Sequence, residues 1–220
     1  MKALLVLLSV LAGAAEAACR QALSLGLDVS GSVDAQEYRL QLDGLAAALE
    51  NGEVVDAFLA MPDAPVRLMV FEWSGPHAPR VLQEWVTVLG APDLAAVAQR
   101  LRRTGRAKLD PSTAIGVAKQ AGARMLADQG ACWRRVLDLS GDGESNTGPR
   151  PQDVRPGGLT INALVVTGEE PGALLGYFKA YVIEGEQAFV EPALGFEDFE
   201  AAMVRKLKRE LQVLVLSERE

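Results

Sequence analysis

Apolar positions along the 220-residue chain recur with two different periods. Residues 23–27 carry Leu at every second position and run into Asp28-Val29-Ser30-Gly31-Ser32, the pattern of a buried strand opening into a polar loop. The period then changes. Tyr38, Leu42, Leu45 and Leu49 recur at helical spacing behind Asp34 and Glu37, whose separation resembles a capping box, and Asn51-Gly52 closes that helix. Val55, Phe58 and Leu59 predict a further short helix over 54–61, stopped by Pro62 and Pro65. Residues 66–73 and 81–88 read as strands joined through Gly75-Pro76-His77, which predicts a hairpin. Helices are expected over 93–103 and 113–127, the second entered through Asp110-Pro111-Ser112-Thr113 with its proline and cap-type hydroxyls. A strand over 135–139 leads into Ser140-Gly141-Asp142-Gly143, and 159–166, 172–183 and 187–191 read as strand, helix and edge strand. Phe196, Phe199, Met203, Leu207, Leu211 and Leu214 mark a last helix. Its acids, Glu197, Asp198 and Glu200, come first, and Arg205, Lys206, Lys208 and Arg209 follow, as the helix dipole favours. That basic run is read as a solvated face.

Strands alternating with helices predict an α/β fold: a doubly wound, mostly parallel sheet with one antiparallel edge strand and helices on both faces. Ligands of such sheets bind beyond the carboxyl ends of the strands, where strand order reverses. The Asp/Ser/Gly-rich loops after residues 27 and 139 both fall at carboxyl ends, so chemistry is expected there.

Composition narrows the chemistry. With 29 acidic against 22 basic residues the net charge is −7, which repels nucleic acid and anionic lipid rather than gathering them. His77 is the only histidine and Cys19 and Cys132 the only cysteines, too few for a zinc site built from imidazole and thiolate. Any metal is therefore expected on oxygen. Residues 1–17 (Lys2, an apolar run over 3–14, then Ala15-Glu16-Ala17) have the form of a secretory signal cut after Ala17. The run is shorter than the roughly 20 residues of a bilayer span. A lipoprotein signal ending at Cys19 is the minor alternative, since Glu16 stands where such signals carry Leu. The expected product is a single domain over 18–220, exported to the periplasm or secreted, with no membrane span. In an oxidising compartment Cys19 and Cys132 are expected to form a structural disulfide rather than a redox pair, with free thiols the alternative if they lie apart in the fold.

Asp28, Ser30 and Ser32 occupy alternate residues, so an extended chain leaving the sheet can aim all three side chains at one point. Adding Thr113 and Asp142 gives a ligand set of hard oxygens low in negative charge, suited to Mg2+ or Mn2+ with a coordination position left open. The pattern Asp-x-Ser-x-Ser, then a distant Thr, then a distant Asp, resembles the metal-ion-dependent adhesion site (MIDAS) of von Willebrand factor type A (VWA) domains. Here those residues are Asp28, Ser30, Ser32, Thr113 and Asp142. The stretch 110–116 is similar to that family's threonine loop, and 140–146 to its Asp-Gly-x-x-Asn loop. The stretches 28–38, 71–75 and 160–164 further resemble DUF1194, a family of exported bacterial single-domain A proteins, so that the resemblance covers nearly all of residues 18–220. Two departures stand out: Asp110-Pro111 replaces the usual glycine, and the helix expected between the Asp142 loop and the next strand is shortened to a Pro/Gly-rich crossing over 147–158. In A domains the strand before Asp28 lies beside the strand before Asp142, which implies that Cys19 and Cys132 meet at the amino ends of adjacent strands.

The resemblance implies a binding module, not an enzyme. The ion would be held directly by Ser30, Ser32 and Thr113, with Asp28 and Asp142 binding directly or through water, and an Asp or Glu of a protein partner would fill the open position. A metal-assisted or serine hydrolase is the first alternative. No Gly-x-Ser-x-Gly elbow occurs, and Ser30 stands where an aspartyl phosphotransferase carries its second Asp. A metal-free scaffold subunit of an envelope complex, docking through its last helix, is the other. His77, Glu72 and Trp73 are given no role, and the sequence specifies neither the partner nor the oligomeric state.

Overall fold

The computed structural model describes residues 18–77, 79–168 and 171–212. The signal reading of 1–17 and the last residue of the helical stripe, Leu214, lie outside the described residues. Six strands form one sheet: β1 (Cys19–Asp28), β2 (Val66–Trp73), β3 (Arg80–Val88), β4 (Cys132–Gly141), β5 (Thr160–Thr167) and β6 (Val190–Leu194), in the order β3-β2-β1-β4-β5-β6. All pairs are parallel except β2 with β3, which form the antiparallel edge. Strand order therefore reverses between β1 and β4. The loops leaving these two strands open side by side at their carboxyl ends.

Helices α1 (Ala35–Glu50), α2 (Gly52–Leu59), α3 (Ala91–Arg103) and α6 (Phe199–Glu210) cover one face. Leu23, Leu25 and Leu27 of β1 pack against the buried α1 stripe Tyr38, Leu42, Leu45 and Leu49 and against Phe199, Met203 and Leu207 of α6. Each fully buried aliphatic side chain contributes about 1.5–3 kcal/mol, so this layer sets the register of the sheet against its helices. The other face carries α4 (Ile115–Ala127) and α5 (Pro171–Tyr177), packed over Phe71, Leu137, Leu139 and Val165. The Asp34 capping box forms in full: its Oδ1 accepts from the N–H groups of Gln36 and Glu37, and its own N–H donates to Glu37 Oε2. Cys19 and Cys132 pair in register at the amino ends of β1 and β4, 4.4 Å apart at Cα, and are joined by a disulfide. Among the described residues no helix is long and apolar enough to cross a membrane.

Several elements depart from the pattern. The edge strand expected over 187–191 begins at Val190, because Gly185 and Gln187 both adopt positive φ and keep the chain turning. The helix expected over 172–183 is α-helical only to Tyr177. A wider turn follows, closed by Ile183 N–H onto the Phe178 carbonyl at 3.1 Å, which puts Phe178 and Val182 wholly inside. Lys206 is not on a solvated face: its ammonium lies 2.8 Å from Asp138 and 2.6 Å from Glu210, fully buried under α6. Burial works against that ammonium, but the two carboxylates outweigh it and its pKa is raised. Asp138, desolvated and facing Glu210, is pushed up to about 7. The crossing from β4 to β5 contains only a short turn over Pro151–Asp153. It lies tight on α4 because Gly116 leaves room for the Pro149 carbonyl, which would stand 2.1 Å from a Cβ there, and because Lys119 Nζ donates to the Pro151 carbonyl.

Candidate metal site at the carboxyl ends of β1 and β4

Asp28 is the last residue of β1, buried, and held from three sides. Its N–H faces Ser140 Oγ at 3.3 Å, its carbonyl accepts from Gln41 Nε2 at 2.9 Å, and Gln41 Oε1 accepts in turn from Ser140 Oγ at 2.7 Å. Gln41, on α1, thus ties the ends of β1 and β4 together. The carboxylate is oriented by Ser30 N–H, which donates to Oδ1 at 2.8 Å. Its other oxygen, Oδ2, is buried and has no hydrogen-bond partner. An ionised oxygen left in that state is costly, and burial pushes the Asp28 carboxyl up to about 7, the charge of Asp142 adding to the rise and the bond from Ser30 opposing it.

From Asp28 the site opens outward. Ser30 Oγ lies 3.3 Å from Ser32 Oγ, and Ser32 Oγ donates to Asp142 Oδ1 at 2.7 Å. Four of the five expected residues are therefore linked, from buried Asp28 and Ser30 to half-buried Asp142 and exposed Ser32. Thr113 stands in the adjoining loop. That loop is bound to the first by Gly31 N–H donating to the Pro111 carbonyl at 2.8 Å, and among the described residues no hydrogen bond ties the Thr113 hydroxyl to the other four. Asp110 accounts for the proline-bearing sequence there: its Oδ1 accepts from both the N–H and the hydroxyl of Ser112, locking the turn that presents Pro111 to Gly31.

The entry to α4 differs from expectation. Neither Ser112 nor Thr113 caps it; Ser145 Oγ, from the Asp142 loop, accepts from Ile115 N–H and donates to the Thr113 carbonyl. Asn146 grips the same residue from both sides, its Oδ1 accepting from Thr113 N–H at 2.9 Å and its N–H donating to the Thr113 carbonyl at 2.9 Å. With its backbone bonded to the neighbouring loop, Thr113 has its hydroxyl to spare. Asn146 lay within the Asp-Gly-x-x-Asn stretch of the sequence. Gln41 also carried a signal, a polar residue on the apolar face between Tyr38 and Leu45, whereas Ser145 carried none.

The family described as protein of unknown function (DUF1194) matches residues 18–215. The chain belongs to this family. A search of curated proteins gave no match for this DUF1194 chain. Among solved structures it is similar to proximal thread matrix protein 1 from the mussel byssus, with a TM-score of 0.63 and 16% identity over 89% of this chain and 49% of that one. It is also similar to a von Willebrand factor type A protein from Catenulispora acidiphila, with a TM-score of 0.58 and 16% identity over 88% and 42%. The DUF1194 chain thus spans less than half the length of either. An aerotolerance-related membrane protein from Bacteroides fragilis, TM-score 0.53 and 14% identity, matches 86% of this chain over 98% of its own. At these identities the likeness establishes the VWA-like fold. One further form of the mussel protein, TM-score 0.60 and 14% identity over 89% and 47%, is described with a zinc-occupied MIDAS motif.

The residues of the DUF1194 site fit a divalent cation. A buried carboxylate oxygen without a partner, two serine hydroxyls and a second carboxylate converge, all hard oxygen donors. No three His, Cys, Asp or Glu side chains cluster among the described residues, so hydroxyls must complete any ligand set here.

Proposed function

We propose that this chain is an exported VWA-like binding module that holds Mg2+ or Mn2+ on Ser30, Ser32 and Thr113, with Asp28 and Asp142 binding directly or through water, and captures a carboxylate of a protein partner on the open face of the ion. The observation that carries this reading is the orphaned Asp28 Oδ2 at the base of the hydroxyl-bearing loops. Three of the five donors are uncharged hydroxyls, and carboxylates that bind through water neutralise the ion only in part, so an incoming Asp or Glu suits the remaining position. The zinc-occupied MIDAS motif of the mussel relative supports a divalent metal in this fold. The Cys19–Cys132 disulfide supports a periplasmic or secreted location.

Melting the protein in EDTA against graded Mg2+, Mn2+ and Ca2+ tests the ion. A hundredfold excess over the dissociation constant stabilises by about 2.7 kcal/mol, and a column carrying a ligand with a single carboxylate, run at physiological salt, should then retain the protein only with metal present. No shift with any ion would overturn the reading in favour of a metal-free scaffold. Metal-dependent turnover of an ester panel would overturn it in favour of a hydrolase.

Because Asn146 fixes the Thr113 backbone from both sides, Asn146→Ala is expected to weaken Mn2+ binding roughly 10- to 100-fold, the usual effect of removing a group that orients a ligand. Isothermal titration of parent and variant measures it, and unchanged affinity would show that Thr113 does not ligate.

A further inference from the structure

Residues 100–108 read Arg-Leu-Arg-Arg-Thr-Gly-Arg-Ala-Lys, five cations without an acid in a chain of net charge −7. The end of α3 accounts for part of this, since cations are favoured at a helix carboxyl terminus. Arg102 is matched by Glu50 at 2.6 Å. Arg100, Arg103, Arg106 and Lys108 are exposed and make no ion pair among the described residues. Arg80 joins them from β3, its Nη1 donating to the Gly105 carbonyl at 3.0 Å and lying 3.3 Å from the fully buried Glu72. Arg80, Gln99, Arg100, Arg103, Thr104 and Gly105 line a groove of about 500 Å3 with no carboxylate on its wall. Arg80 is already matched by Glu72, so Arg100 and Arg103 are the groove's cations without an acid against them among the described residues, and they favour an incoming anion.

The groove is joined to the metal site by covalent and hydrogen-bonded links. Arg106 follows Gly105, donates from Nη2 to the Ser30 carbonyl at 3.3 Å, and stacks 5.7 Å above the Tyr38 ring. Tyr38 Oη in turn donates to Glu72 at 2.5 Å, so the same buried acid steadies both Arg80 and the ring beneath Arg106. A basic strip therefore leads from the end of α3 to the loop that carries Ser30.

We propose that this groove holds a second carboxylate of the partner, so that the segment recognised is acidic, with one Asp or Glu at the ion and another between Arg100 and Arg103. Planar guanidinium forks suit a carboxylate, and pairing with two of them fixes the direction in which the segment lies. The first contact rests on the proposed function; the second does not. A nucleic acid is the poorer fit, because beyond this strip its backbone would meet the field of a chain with seven excess negative charges.

The test is anisotropy of a fluorescein-labelled octaglutamate peptide on the purified protein at low salt, first in EDTA and then in Mn2+. In EDTA the peptide should bind, and Arg100→Glu/Arg103→Glu should weaken it on the order of tenfold or more, with Arg100→Gln/Arg103→Gln intermediate. Unchanged melting temperatures establish that the arginine variants are folded. No binding in EDTA, equal binding by the charge-reversed protein, or tighter binding of an oligonucleotide of the same charge would overturn the proposal. Binding in EDTA that is lost on charge reversal but gains nothing from Mn2+ supports the groove while counting against the metal-site reading alone.

Discussion

Replacing Cys19 and Cys132 together by Ala should cost about 4 kcal/mol of unfolding free energy and lower the melting temperature by roughly 10 °C. The bridge joins residues 113 apart in sequence, and closing a loop of that length removes much of the unfolded chain's entropy. The strands it joins are central to the sheet, so β1 and β4 still find each other through their ladder and the variant should fold. Each strand has ten residues, which at roughly 3.3 Å per residue places the bridge about 30 Å from the carboxyl ends. Metal binding by the folded variant should therefore match the parent's. Urea unfolding with and without reductant measures the first effect and metal titration the second. A loss below about 1 kcal/mol would mean that strand pairing already constrains the unfolded ensemble.

How much could be read in advance depended on whether each signal was local. β2 spans the expected residues 66–73 because Pro65 and Ser74-Gly75 bound an unbroken run of strand formers. β1 and β4 extend beyond their apolar runs to Cys19 and Cys132, since a backbone ladder needs no apolar side chain and Arg20 donates from its Nη groups to the carbonyls of Phe58 and Leu211. The turn after α5 and the late start of β6 were hidden for a different reason: a change of hydrogen-bond register and a positive φ at Gln187 leave no mark on hydrophobic spacing. Lys206 was misread because its partner Asp138 lies on another element, and no window along α6 contains it.

The same distinction holds at the site. The five candidate ligands lay in short stretches whose residue types were informative together, and the structure links Asp28, Ser30, Ser32 and Asp142 through hydrogen bonds, with Thr113 in the loop alongside. The residues that hold them, Gln41, Ser145, Asn146 and Arg106, act across loops that meet only in the folded chain. Asp110-Pro111, a departure from the family pattern, proves to be a turn that grips the first loop through Gly31.

Asp28→Asn should abolish the metal response without weakening the fold. In the parent, the metal-linked stabilisation of about 2.7 kcal/mol at a hundredfold excess corresponds to a shift of roughly 5–10 °C for a chain of this size. In the variant that shift should vanish for every ion, because the buried anionic oxygen is gone. In EDTA the order should reverse. The parent carries the desolvation cost of a carboxylate whose Oδ2 has no partner, whereas the side-chain amide of the variant is uncharged and keeps the oxygen that accepts from Ser30. The variant is therefore expected to be at least as stable as the parent there, by up to about 1 kcal/mol. Opposite signs under the two conditions separate a site kept for binding from one kept for structure, since a purely structural Asp28 would make the variant weaker in both. A variant less stable in EDTA whose metal response survives would place the ion elsewhere and withdraw the role assigned to Asp28.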